Sequence, residues 1–125
     1  VFINAGHESI LTFDKGKNYE YIKSDMPPIG IVKYFTESMV KSNTMNLKDK
    51  TFVVYTDGVT EGYLKNGEEL GAEGVQNIIN SIENINPKNI VLGIEKELNW
   101  GAEKLRDDIT CMAINIENTE LIKKK

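Results

Sequence analysis

Hydrophobic and polar positions change their spacing along this chain, and each change marks an element. Ile10–Phe13 and Tyr19–Ile22 are short runs rich in apolar and aromatic residues, separated by the polar stretch Asp14-Lys15-Gly16-Lys17-Asn18. That pattern predicts two strands joined by a hairpin loop. Val1-Phe2-Ile3 reads as a strand fragment without a cap or polar lead-in, which points to a part of the domain lying upstream. Met26-Pro27-Pro28-Ile29-Gly30 predicts a loop, because neither proline can donate to a sheet ladder. Apolar and polar residues partly alternate from Tyr34 to Lys41, and a polar turn at 46–50 precedes Thr51-Phe52-Val53-Val54-Tyr55. This unbroken run has strand length and predicts a strand buried on both faces.

The second half takes a helical period. Val75, Ile78, Ile79 and Ile82 recur at i, i+3, i+4 and i+7, the stripe of a helix laid on a core. Asn86-Pro87 has the form of an N-cap followed by proline at the first helical position, and Ile90, Val91, Ile94 and Leu98 make the next stripe. Gly93 costs this second helix about 1 kcal/mol relative to Ala. Trp100 is expected to finish its packing. Residues 109–116 predict a final buried strand, and Lys123, Lys124 and Lys125 a solvated tail. There is no repeat and no low-complexity segment.

The length of 125 residues fits one domain, and 40% hydrophobic residues supply a real core. A net charge of −4, with Arg106 as the sole arginine, provides no broad basic surface for nucleic acid. No apolar run approaches the roughly 18 residues of a membrane span, and the N-terminus lacks the layout of a signal peptide. No membrane contact is expected. Cys111 is the only cysteine, which excludes an internal disulfide and a cysteine-based zinc site and suits a reducing cytoplasm.

Three polar clusters sit at strand ends: Asn4-Ala5-Gly6-His7, Tyr55-Thr56-Asp57-Gly58 and Arg106-Asp107-Asp108. If the strand ending at Thr56 and the strand starting at Ile109 are antiparallel neighbours, Asp57 and Asp107 meet at one sheet edge. Carboxylates gathered this way repel unless protonated or bridged by a cation, and hard ions such as Mg²⁺ and Mn²⁺ choose oxygen ligands. Each cluster also has a simpler reading. Asp57-Gly58 alone is a turn, and Asp107-Asp108 alone a solvated loop. His7, the only histidine, either satisfies local hydrogen bonds or takes part in chemistry. Arg106 is either a phosphate clamp or a surface arginine. Cys111 reads as a small buried hydrophobe.

Taken together and in order, Asn4-Ala5-Gly6-His7, Tyr55-Thr56-Asp57-Gly58-Val59-Thr60-Glu61, Gly67-Glu68-Glu69-Leu70-Gly71 and Asp107-Asp108-Ile109-Thr110 resemble the SpoIIE/RsbU-type branch of the metal-dependent type 2C serine/threonine phosphatases. Pro28-Ile29-Gly30 resembles that family's Pro-Leu-Gly stretch, and the resemblance covers essentially the whole chain. It implies an α+β fold, part of an α-β-β-α sandwich of two antiparallel sheets flanked by helices. It also implies two Mn²⁺ or Mg²⁺ ions at one edge, with Asp57 and Asp107 matching the family's ligands and catalytic residues from this half. Asp108 matches an adjacent acid, and Gly58, His7 and Asn4 lie beside the site. Eukaryotic relatives carry an Asp near the position of His7 that holds a third metal, which is not expected here.

The family's turn before the buried strand is Gly-Asp, where this chain has Asp49-Lys50. Its metal-bridging Asp and its upstream helices have no counterpart after Val1, so residues 1–125 correspond to the C-terminal part of such a domain and are expected to be inactive alone. The implied reaction is hydrolysis of phosphoserine or phosphothreonine on a STAS-type anti-sigma factor antagonist, through a metal-activated water, under an N-terminal sensor or receiver domain. The alternative is a catalytically silent regulatory or dimerisation module. Gly62 and Gly67 predict a flexible loop across 58–71 that presents the partner protein, and open sheet edges predict self-association.

Overall fold

The structure, a computed structural model, describes residues 1–99 and 107–117. Ile10–Phe13 (β1) turns back onto Tyr19–Ile22 (β2), with Ile10 opposite Ile22 and Phe13 opposite Tyr19. Asp14 organises the turn. Its Oδ1 accepts the Gly16 N–H at 2.8 Å and the Asn18 N–H at 3.2 Å, and its carboxylate also accepts from the Asn18 side-chain amide. Hydrogen bonds from the Asn18 side chain, then its backbone, hold the Asp14 carboxyl below its ordinary pKa.

Lys50–Tyr55 (β3) pairs antiparallel with β1, and Cys111–Ile116 (β4) pairs antiparallel with β3. The strand order is β2-β1-β3-β4. One helical turn, Asp57–Thr60 (α1), follows β3 directly, and two longer helices, Gly71–Ser81 (α2) and Pro87–Glu97 (α3), come between it and β4. The start of α3 is capped as its sequence predicts, with the Asn86 side-chain oxygen accepting the Asn89 N–H at 2.9 Å. Val75, Ile78 and Ile79 of α2 and Ile90 and Ile94 of α3 join Leu11, Phe13, Val53 and Tyr55 of the sheet in one apolar core. This is an α+β arrangement. Gly93 lies at the helix contact, where a Cβ would stand 3.0 Å from Ile78 Cγ2, so the residue that weakens an isolated helix permits close packing here.

Three stretches differ from the sequence expectation. Val53 and Tyr55 of β3 are buried but Phe52 and Val54 are only half-buried, so the strand is dry on one face. Strand β4 begins at Cys111 and is not a buried strand: Met112 is 50% exposed and Ile114 41%. Both differences have one cause, since α2 and α3 pack on the face carrying Leu11, Val53 and Tyr55 and the opposite apolar face has no second sheet among the described residues. Residues 1–3 contribute a single bridge, Phe2 to Asn43, instead of a strand. The partial alternation after Tyr34 resolves into a 3-10 turn at Glu37–Met39. Trp100, Arg106 and Lys123, Lys124 and Lys125 lie outside the described residues. Among the described residues no helix is long and apolar enough to cross a membrane.

Candidate functional site

Antiparallel pairing decides what gathers at the ends of this sheet. Tyr55 lies opposite Cys111, so the end of β3 adjoins the start of β4. Leu11 lies opposite Val53 and Ile10 opposite Ile22, so the start of β1 and the end of β2 occupy that same end. Residues 4–9, 23–26, 56–58 and 107–110 therefore converge there, and Asp57 and Asp107 share one edge as the antiparallel argument requires.

The junction between β3 and β4 is tight. Thr56 N–H donates to the Thr110 carbonyl at 3.0 Å, and Thr56 Oγ1 donates to the Asp108 carbonyl at 3.0 Å. Gly58 is buried against this segment, where a Cβ would collide with the Asp108 carbonyl oxygen and stand 3.4 Å from that of Asp107. Only glycine allows that approach.

Asp57, Asp107 and Asp108 are exposed. Asp57 Oδ1 accepts the Gly58 N–H at 3.0 Å, and the Asp57 carbonyl accepts the Glu61 N–H at 2.8 Å. Asp107 Oδ1 accepts the Asp108 N–H at 2.7 Å. Among the described residues hydrogen bonds reach only Oδ1 of each, which leaves one carboxylate oxygen of Asp57 and of Asp107 for a ligand.

Asn4 and His7 occupy the same end of the sheet in other capacities. Asn4 is buried and ties residues 4–8 to β2: its Nδ2 donates to the Ile22 carbonyl at 3.3 Å and its Oδ1 accepts the His7 N–H at 3.0 Å. Gly6, with φ 77°, sits where a Cβ would collide with the Pro28 ring. His7 is exposed, with Nδ1 3.0 Å from the Glu8 carbonyl oxygen, a local hydrogen bond of the simpler kind.

Two residues at this end escaped sequence reasoning. Glu8 contributes charge to the environment of Tyr55, whose hydroxyl is pushed up to about 12, first by burial and then by Tyr21, Glu8 and Cys111. Thr56 engages the segment leading into β4 through its hydroxyl, which bonds the Asp108 carbonyl and the Thr110 N–H. The only signal for it in sequence is a hydroxyl residue one step past a strand end. Cys111 is half-buried where the sequence predicts a buried hydrophobe, and its thiol, pushed up to about 11 by burial, stays protonated.

The segment following α1, where the glycines predict a flexible loop, carries two β-bridges and a backbone hydrogen bond. Tyr63 pairs with Glu69 and Leu64 with Leu98, while the Leu70 N–H donates to the Gly62 carbonyl at 2.8 Å. Gly62 is used for contact, since a Cβ there would lie 2.6 Å from Leu98 Cδ2.

Carboxylate oxygens are the donor class that Mg²⁺ and Mn²⁺ prefer, so Asp57 and Asp107 fit such ions in kind. Among the described residues no group of three or more His, Cys, Asp or Glu is placed to hold a metal.

A sheet covered on one face by helices is an α+β arrangement, and aspartates from two neighbouring strand ends lie at one of its edges. The family model for stage II sporulation protein E (SpoIIE) matches residues 1–117, and the chain belongs to that family. The family is associated with type 2C phosphatases and generally uses Mn²⁺ or Mg²⁺. Comparisons with curated proteins and with solved structures found no match.

Proposed function

We propose that this chain is part of a metal-dependent protein serine/threonine phosphatase, with Asp57 and Asp107 as ligands for Mn²⁺ or Mg²⁺. The observation that carries the reading is the antiparallel β3–β4 junction, which brings both aspartates to one edge in a chain of the SpoIIE family. When bound, a pair of such ions acidifies water and offsets charge developing on phosphoryl oxygens. The chain's own contribution is to hold two negative charges at fixed places. Asp57 and Asp107 each anchor Oδ1 on a following backbone N–H, which limits rotation of the carboxylate and pre-sets the other oxygen. Gly58 lets the two segments approach, and Asp108 offers its carbonyl to Thr56.

The substrate class is a phosphoserine or phosphothreonine on a STAS-type anti-sigma factor antagonist, handled in the cytoplasm under an N-terminal sensor or receiver domain. The alternative reading is a catalytically silent regulatory or dimerisation module. Asp57→Asn and Asp107→Asn in the full-length protein separate the two. Each should cut Mn²⁺-dependent hydrolysis of a phosphopeptide by about two orders of magnitude or more while circular dichroism stays unchanged. Near-wild-type turnover in folded Asp57→Asn protein, or no turnover in the wild type, overturns the phosphatase assignment.

A further inference from the structure

Thr56 is where strand β3 ends and helical turn α1 begins, and its backbone cannot serve both. Its carbonyl accepts the Val59 N–H at 2.9 Å and so belongs to α1. Antiparallel pairing would otherwise call on that carbonyl to receive the Thr110 N–H, since the Thr56 N–H already donates to the Thr110 carbonyl at 3.0 Å. The side chain takes over. Thr56 Oγ1 accepts the Thr110 N–H at 3.0 Å and donates its own O–H to the Asp108 carbonyl at 3.0 Å. One hydroxyl therefore closes the last rung of the β3–β4 ladder and grips the residue next to Asp107. Gly58 closes the other side of Asp57 by allowing the Asp108 carbonyl to rest against it.

We infer that Thr56 is a positioning residue that sets the relative placement of the Asp57 and Asp107 carboxylates, an inference that rests on the reading of those two as metal ligands. The role needs a group that accepts and donates at once. Serine retains it, whereas valine keeps the shape and loses both hydrogen bonds. Without the hydroxyl, residues 107–110 shift relative to Asp57 and the two ligands lose their alignment. The hydroxyl is not deeply buried, so in its absence water can satisfy the Thr110 N–H and the Asp108 carbonyl. A purely structural role would lower the melting temperature and leave the metal affinity of the folded protein unchanged.

Mn²⁺ titration of the full-length protein, calorimetrically and below the melting temperature of every variant, tests this. Thr56→Val should weaken Mn²⁺ binding about 10- to 100-fold, the range typical when groups supporting metal ligands are removed, and Thr56→Ser should restore it. If Thr56→Val does not fold, Thr56→Ala removes the same hydroxyl without the second methyl. Wild-type affinity in the hydroxyl-free variant alongside lost binding in Asp57→Asn would overturn the positioning role and leave the ligand assignment standing. Equal loss in Thr56→Ser and Thr56→Val would also overturn it. Unchanged Mn²⁺ binding in Asp57→Asn would instead overturn the reading on which the inference rests.

Discussion

Tyr55 and Cys111 face each other across the β3–β4 ladder, and both hold their protons more tightly in the folded chain than in water. Burial raises the Cys111 thiol from 9.0 to about 11 and, as the largest cause, the Tyr55 hydroxyl from 10.0 to about 12. Above pH 9.0 the unfolded chain releases the cysteine proton while the folded chain keeps it. The folded state then binds more protons than the unfolded state, so stability falls as pH rises. The contribution is complete below 9.0 and is lost through about 11 for Cys111, then from 10.0 through about 12 for Tyr55. Urea midpoints measured across this alkaline window should decline in the wild type and flatten in Cys111→Ser,Tyr55→Phe; an equal decline in both refutes the assignment. Tyr55→Phe has a second expected effect. The Tyr55 hydroxyl oxygen is buried without a hydrogen-bond partner among the described residues, so its removal should raise stability by about 1 kcal/mol at neutral pH, read from the same midpoints.

At the scale of elements, α3 shows how a cap and a stripe cooperate. Asn86 satisfies an otherwise unpaired N–H through its side chain, and Ile90 and Ile94 bury the face that holds the helix to the sheet. Asn86→Ala should cost about 1 kcal/mol, seen as a fall of a few degrees in melting temperature with unchanged helix content below it. No shift would mean that Pro87 and the apolar stripe define this end unaided. Gly62 and Gly93 teach the complementary lesson. Spacing alone makes a glycine a weak point or a hinge, but these two lie against Leu98 and Ile78, where the missing side chain is the functional feature.

At the scale of the whole molecule, the sheet has a helix-covered face and an opposite face that carries exposed apolar residues and no second layer among the described residues. Met112 and Ile114 stand on the open side, and β2 and β4 are its edge strands. Exposed apolar surface beside an unpaired strand favours association between copies. Residues 1–125 produced alone should therefore show a molecular weight that rises with concentration in light scattering, and Met112→Lys,Ile114→Lys should return it toward the monomer. A monomer at all concentrations would show that the open face is self-sufficient.

Local signals were enough for the hairpin, for β3, for both longer helices and for the Asn86 cap, because each depends on residues within a few positions of one another. Asp57 and Asp107 were legible for a related reason: both lie at strand ends, and a single assumption of antiparallel pairing joins them. An apolar run reports that a strand is buried without saying from which side, so the half-open state of β3 and β4 emerged only with the helices in place. The hydroxyl of Thr56, the collision-free surface of Gly58 and the buried amide of Asn4 have the same character. Each acts on a partner from 18 to 54 positions away, and such partners are chosen by the packing of the sheet and not by the spacing of the chain.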